Sequence, residues 1–487
     1  MAQTHEILTV AETREADGAA AKAGVAGRVL MERAGEGVAN AVAARWSPRP
    51  VLVLCGPGNN GGDGYVAARK LSEAGWPVAV AALRPAGGLK GDAAQAAEAW
   101  TGEVAPLSAA APPAGGLVID ALFGAGLAKP LEAEAQTALR AATADRAPLV
   151  AVDLPSGLAG DTGQPLGFAP QAALTVTFHA KKPAHVLEPG RGYCGEVVVV
   201  DIGIPAGAAP AAKLWENHPD LWLARFPWPT AQAHKHQRGR LVVVSGNISS
   251  TGAARLAARG GLRIGAGLVT VLSPAGALAV NAAQLEAVMV RPFETDADLQ
   301  KTAADADAAV IGPGAGINNA TVLNLMALAR TGAALVVDAD ALTVFQDDPE
   351  GLFSILDRDD VLTPHPGEFE RVFPGLLEKS PQRIAAAREA AALAGGVVLL
   401  KGPDTVVAAP DGRAVVNTNA TPWLATAGSG DVLAGFVGGL LSQGMDSFEA
   451  ACAGAWIHGE AGRAFGPGLI SEDLPGLAPA VLRRLAG

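Results

Sequence analysis

Two short stretches carry residue types that do chemistry. The first, "CGPGNNGGDGYVAARKL" at residues 55–71, follows the apolar run "VLVL". Glycines in a strand-to-helix turn let backbone N–H groups approach phosphate oxygens at the positive end of a helix. Gly56, Gly58 and Gly61 spell the G-x-G-x-x-G of a dinucleotide-binding turn. A redox dinucleotide also needs a carboxylate about 20 residues on, at the end of the next strand, to hold the ribose hydroxyls. Here that strand ends "AALRP", with Arg84 and no carboxylate. Asn59, Asn60 and Asp63 add polar groups that a simple pyrophosphate turn does not require. A tight turn with capping side chains is the alternative reading.

Asp120 closes "GLVID" ahead of the loop "GAGLAKP", and Asp153 closes "LVAVD" ahead of "LPSG". Carboxyl ends of neighbouring parallel strands share one crevice, so Asn60, Asp120, Asp153 and Ser156 are expected to converge there. Oxygen ligands of this kind suit a hard cation. The plainer role for both aspartates is to cap the segments that follow them.

The second stretch is "ATAGSGDVLAG" at 425–435, with Gly428, Ser429 and Gly430 opening an apolar helical run and Asp431 in its first turn. Exposed amides at a helix start make an anion hole, and a carboxylate beside it can take the proton of a hydroxyl being phosphorylated. Asp431 can equally serve the helix dipole alone. No G-x-x-x-x-G-K-[ST] occurs, so the phosphate cradle is not a P-loop. Instead "KGPDT" (401–405), "TPHPGE" (363–368) and "GPGAG" (312–316) each follow a strand-like run, where α/β sheets bind ligands. His365, between two prolines at such a strand end, is the functional candidate among the histidines. His5, His218 and His458 are expected to satisfy local hydrogen bonds, and "HKHQRGR" at 234–240 to order the start of the strand after it.

The elements that must position these residues are legible as alternation. Val-, Ile- and Leu-rich runs alternate with Ala-rich helical stretches, the grammar of a parallel-sheet α/β chain. The pattern lapses over 205–232, dense in Pro and Trp, and restarts at "GRLVVVSG". Two domains are therefore expected, 1–215 and 225–487, with no repeated motif between them. A length of 487 residues agrees with two domains. No apolar run reaches the roughly 18 uninterrupted residues of a membrane span, and a net charge of -11 argues against a nucleic-acid surface. The three cysteines, Cys55, Cys194 and Cys452, form no C-x-x-C pair. With no basic, apolar leader in "MAQTHEILTV", a reducing, cytoplasmic location is expected.

Together these motifs resemble the bifunctional NAD(P)H-hydrate repair enzymes, an epimerase domain fused to an ADP- or ATP-dependent dehydratase. The resemblance covers nearly the whole chain. It rests on "LMERAG", "GPGNNGGDGYVAAR", "VIDALFGAGLAKPL", "VDLPSGLAGDTG" and "FHAKKPAHVLEPGRGYCGEVVVVDIGIP", then on "HKHQRGR", "STGAARLAA", "GPGAG", "TPHPGEF", "KGPDTVV" and "ATAGSGDVLAG". It implies two three-layer α/β domains, Rossmann-like then ribokinase-like, and a metabolite-repair function combining an isomerase with a lyase. The dinucleotide at the glycine turn is then a damaged substrate rather than a redox cofactor.

The resemblance implies that Asn59, Asn60, Gly61, Gly62 and Asp63 bind hydrated NADH or NADPH. The loop of Gly124, Ala125, Gly126, Leu127, Ala128, Lys129 and Pro130 joins them, with Asp153 as a catalytic residue. Asn60, Asp120 and Ser156 would hold a potassium ion. In the second domain Ala253, Gly314, Gly316, His365 and Asp431 would face the S hydrate, Asp431 removing its hydroxyl proton. Lys401, Gly402, Pro403, Asp404, Thr405 and Gly430 would hold ADP or ATP with magnesium. A homo-oligomer is expected, with neither nucleic acid nor membrane as partner. Lys129 stands where arginine is common, Gly246-Asn247 where Gly-Ser is frequent, and "NATPWLATAG" where "GNPGMATGG" is usual. Two other readings compete. A ribokinase-like small-molecule kinase fused to a nucleotide-binding module leaves the first domain's residues unused, and a non-enzymatic first domain leaves its set of Asn60, Asp120, Asp153 and Ser156 unexplained.

Overall fold

The computed structural model describes residues 5–111, 114–144, 147–205, 207 and 211–487. Two compact units divide between Trp215 and Glu216.

In the first unit seven short runs form a sheet: β1 (Val51–Cys55), β2 (Val78–Ala82), β3 (Val104–Pro106), β4 (Leu117–Ala121), β5 (Leu149–Val152), β6 (Leu174–Phe178) and β7 (Glu196–Val200). They lie in the order β3-β2-β1-β4-β5-β6-β7, and every pair is parallel. The period-2 pleat of β1 sends Val51, Val53 and Cys55 into the core under the helices Gly27–Ala43 and Asn59–Glu73. Leu52 and Leu54 go into the opposite core, under Ala133–Thr143. Burial on both faces is why these strands read as continuous apolar runs. The chain steps outward from β1 to β3 and returns to β4 on the other side of β1, so a topological switch point opens between the ends of β1 and β4.

The second sheet has ten strands: β8 (Leu214–Glu216), β9 (Arg240–Val244), β10 (Leu268–Pro274), β11 (Met289–Phe293), β12 (Ala308–Ile311), β13 (Ala334–Val337), β14 (Val361–Leu362), β15 (Val397–Leu400), β16 (Thr405–Ala408) and β17 (Ala414–Asn417). Their order is β11-β10-β9-β12-β13-β14-β15-β16-β17-β8, parallel from β11 to β15 and antiparallel from β15 to β17. The switch point falls between β9 and β12. Helix Ser429–Ser442 aims its start at that end of the sheet by packing closely on helix Thr251–Ile264. Gly435 permits this, because a Cβ there would collide with the carbonyl of Ala257.

The second unit begins at Glu216 rather than at 225. The stretch between belongs to it because Asn217, Pro219 and Trp222 are buried in it. Trp222 is 1% exposed, and its Nε1–H donates to Asn217 Oδ1 at 3.1 Å. Asn217 Nδ2 in turn donates to the Cys452 carbonyl at 2.7 Å and to Asn417 Oδ1 at 2.9 Å. A fragment starting at Leu214 is therefore expected to unfold cooperatively in urea. One starting at 225 should be weaker by about 3–5 kcal/mol, the usual cost of losing a buried tryptophan. Equal urea midpoints would show that Trp222 and Asn217 contribute nothing.

Candidate active sites

The first site is a cavity of about 720 Å³ at the β1/β4 switch point. Asn59, Asn60 and Asp63 line it from the start of helix Asn59–Glu73, and Gly124 to Lys129 line it from the loop after β4. Gly61 and Gly62 lie in the helix but away from the cavity wall. A Cβ on Gly61 would collide with the carbonyl of Gly56, and one on Gly62 would stand 2.6 Å from the sulfur of Met31. These glycines serve packing of the helix start. Pro130 is not in the lining.

Asp153 follows β5 in a left-handed backbone conformation, φ 65°. Asp and Asn tolerate that region better than other non-glycine residues. The turn swings its carboxylate over the cavity, where Oδ2 accepts from the Ala125 N–H at 2.8 Å and Oδ1 accepts from Thr177 Oγ1 at 3.0 Å. Lys182 Nζ stands 2.8 Å from the same Oδ1 and also donates to Thr177 Oγ1 at 2.9 Å. The lysine is 2% exposed. Burial alone would raise the Asp153 pKa, but Lys182 and these hydrogen bonds outweigh it and hold the group at about 2. His185 supports the turn from below: its Nδ1 accepts the Lys182 N–H at 2.8 Å, which makes Nε2 the protonated nitrogen and the donor to the Asp153 carbonyl at 2.8 Å.

Asp120 and Ser156 sit under the cavity floor, both fully buried. Ser156 gives its hydroxyl to Asp120 Oδ1 at 2.6 Å and its backbone N–H to Oδ2 at 2.8 Å, and Leu122 N–H donates to Oδ1 at 3.2 Å. Ser156 Oγ also accepts from Phe123 N–H at 2.9 Å. No basic side chain is among these partners, and burial pushes the Asp120 pKa up to about 6. Asn60 stands at the same loop as Asp153: a Cβ on Gly124 would lie 2.6 Å from Asp153 Oδ2 and 2.9 Å from Asn60 Oδ1. The expected set of Asn60, Asp120, Asp153 and Ser156 therefore gathers around one loop, Leu122 to Ala125.

The second site lies at the carboxyl ends of β9, β12, β13, β14 and β15. Gly314 (φ 65°) and Gly316 (φ 88°) shape the loop after β12, whose Gly316 N–H donates to Asp340 Oδ2 at 2.8 Å. Ala253, in helix Thr251–Ile264, abuts this loop, its Cβ 3.5 Å from where a Gly314 Cβ would be. Gly246 does the same from β9, with no room for a side chain against the Gly314 carbonyl.

Lys401 Nζ pairs with Asp338 Oδ1 at 2.8 Å and lies 3.7 Å from Glu368 Oε2. It is also 3.3 Å from the point where a Cβ on Gly430 would stand, so the ammonium and the start of helix Ser429–Ser442 face one space. Burial would lower the Lys401 pKa, but Asp338 and Glu368 outweigh it and raise it. Asp431 moves the other way from a free carboxyl: burial first, then Asp338, lifts its pKa to about 7 against the pull of Lys401. Within 401–405, Asp404 is buried beside Arg383 (3.3 Å) and the Thr405 hydroxyl closes the turn onto the Gly402 carbonyl at 2.8 Å. That leaves Lys401 and the backbone to meet a ligand. His365 caps helix Pro366–Val372, its Nδ1 accepting from Gly367 N–H at 2.9 Å and its Nε2 lying 3.2 Å from Glu368 Oε1; the ring is half exposed. His458 is buried against Ser429, as its local role implied.

Sequence reasoning assigned no role to Lys182, Asp338 or Glu368. Each directly follows or lies just beyond an apolar strand run ("LTVTFHAKK", "ALVVD", "VLTPHPGE"), the one local signal that marks them.

A family model described as NAD(P)H-hydrate dehydratase matches residues 241–468, and one described as YjeF-related protein N-terminus matches 27–184. The chain is 36% identical to the bifunctional NAD(P)H-hydrate repair enzyme of Moorella thermoacetica, over 94% of this chain and 92% of that one. It is 34% identical to the enzyme of the same description from Escherichia coli K12, over 91% and 87%. Among solved structures, a ribokinase-like superfamily protein of Enterococcus faecalis superposes with a TM-score of 0.50 at 24% identity, covering 57% of this chain and 98% of that one. That likeness shows the ribokinase-like fold.

Proposed function

The chain belongs to the family of bifunctional NAD(P)H-hydrate repair enzymes, and from that premise we propose a division of labour between its two sites. The cavity of the first domain interconverts the R and S forms of hydrated NADH or NADPH. The second domain returns the S form to NAD(P)H at the expense of ADP or ATP, supplied as the magnesium complex. One observation carries this reading: Asp431, the carboxyl in the first turn of helix Ser429–Ser442, lies beside an anion hole that Lys401 faces. In that arrangement Asp431 takes the proton of the substrate hydroxyl as its oxygen attacks the terminal phosphorus. The amides of Ser429 and Gly430 and the Lys401 ammonium meet the charge of the transferring phosphoryl group. The C–O bond of the phosphorylated hydrate then breaks to release inorganic phosphate, a proton passes from the adjacent ring carbon to solvent, and the double bond of the reduced nicotinamide returns. The test is to incubate the protein with hydrated NADH and ADP or ATP and to follow recovery of the near-ultraviolet absorbance of reduced nicotinamide. No recovery with either nucleotide would overturn the reading.

The oxygen atoms beneath the first cavity fit a monovalent cation. Asp120 is a buried carboxylate with no basic partner among the described residues, and a mixed shell of carboxylate, hydroxyl and amide oxygens suits a weakly hydrated ion better than compact, octahedral magnesium. Asp120, Ser156 and Asn60 would hold potassium there, and its charge would offset repulsion between Asp120 and the substrate pyrophosphate. Asp120→Ala is expected to slow epimerisation by about 10- to 100-fold with dehydration of the S form unchanged. The thermal stabilisation of the first domain by potassium over sodium should vanish in the variant. Equal losses of both activities, or full epimerase activity, would remove Asp120 from the site.

A further inference from the structure

Four carboxyl groups line the first cavity, and two of them, Asp63 and Asp153, stand in opposite surroundings. Asp153 is bonded by Lys182, Thr177 and Ala125. Asp63 lines the same cavity, is 8% exposed, and has no hydrogen-bond donor on its carboxyl oxygens among the described residues. A buried carboxylate with neither donor nor cation is costly, whereas a buried neutral carboxyl is not, and it has a proton to give. We propose that Asp63 is the proton donor of epimerisation, working against Asp153 as the resident carboxylate.

This rests on the epimerase reading above and deepens it. In the hydrate the hydroxyl sits on a carbon bonded to the ring nitrogen. Asp63 gives its proton to that hydroxyl, the C–O bond breaks to release water, and the nitrogen lone pair forms a C=N⁺ bond that flattens the carbon. The Asp153 carboxylate faces the resulting cation. Water then adds to the other face, forming the new C–O bond as its proton passes to Asp153 and the electron pair returns to nitrogen. Solvent carries that proton back to Asp63. Nothing is oxidised or reduced, and water is the only co-reactant.

The charges around Asp63 support the assignment. Asp17 faces it from helix Val10–Lys22, Asp153 from the end of β5 and Lys182 from beyond β6; Arg14, Asp92, Lys129 and His179 complete the charged and titratable lining. Burial first, then Asp153 and Asp17, raises the Asp63 pKa well above the usual carboxylate value, with Lys182 opposing. The acid must be protonated to act, so epimerisation is expected to fall as pH rises through the ionisation of Asp63.

The experiment uses the full chain with no nucleotide present, so the dehydratase is silent, and follows R and S epimers of hydrated NADH chromatographically. Asp63→Asn is expected to lose about 10²–10⁴ in rate and the alkaline limb of the pH profile. Asp63→Glu should restore part of both. Dehydration of the S form with ATP and the urea midpoint of the first domain should stay near wild type in each. An Asp63→Asn variant that epimerises like wild type, keeps the alkaline limb, or loses first-domain stability along with activity would overturn the proposal. A wild-type protein that does not accelerate epimerisation would overturn the epimerase reading instead.

Discussion

Asp431→Asn is expected to lower dehydration of the S hydrate by about 10²–10⁴-fold, the usual cost of removing a general base, while ATP binding and epimerisation persist. Asparagine matches the carboxylate in shape and keeps the helix start intact, so the loss is one of proton acceptance and not of folding. The pH dependence has a definite sign. The base must be ionised, and burial and Asp338 hold Asp431 at about 7, so the wild-type rate should rise with pH through that value. Stopped assays with saturating ATP across pH 5.5 to 8.5, a range of about 1.5 units either side, would show the limb in wild type and its absence in the variant. Turnover near wild type in Asp431→Asn would remove the residue from the chemistry.

The second large effect concerns Lys182. Lys182→Met leaves the Asp153 carboxylate mostly buried without its cation, and breaking a buried pair from one side costs about 3–5 kcal/mol. Epimerisation should fall by about 100-fold, because the group then takes up a proton and no longer serves as a base. Acid titration separates this from simple misfolding. In wild type the Asp153 pKa is depressed to about 2, so its contribution to stability is present above the ordinary carboxyl value of 3.8 and is lost as pH falls towards 2. In Lys182→Met burial dominates and the folded-state pKa rises, so the first domain should gain stability as pH falls through that raised value. Urea unfolding of the two proteins between pH 3 and pH 7, a window of about four units, reads the slopes directly. Parallel slopes would mean that Lys182 does not hold Asp153 ionised.

How much of this was legible depended on whether a residue's role follows from its own strand. Asp120 and Asp153 were readable because a carboxylate at the end of a parallel strand has few places to point, and the β1/β4 switch point brings both to the Asn60 loop. Lys182 was not. Its ammonium reaches Asp153 only because the chain turns back after β6 through His179, in a left-handed conformation (φ 64°), and periodicity carries no trace of that turn. Asp338 and Glu368 were hidden for the same reason: their common partner, Lys401, comes from a third strand. The start of the second domain was misplaced because Pro and Trp density reads as a connector. Buried Trp222 and Asn217 turn that connector into part of the core.

The left-handed backbone at Asp153 bears on how such a domain can change its trade. Most substitutions there would strain the turn as well as remove the charge, but asparagine fits the same conformation and can still accept the Ala125 N–H. Aspartate and asparagine codons differ by one nucleotide. The change also leaves the buried Lys182 ammonium without its carboxylate, so a gene duplicate would lose turnover in one step and regain stability in a second, at Lys182, becoming a receptor that reports the presence of a damaged dinucleotide without consuming it.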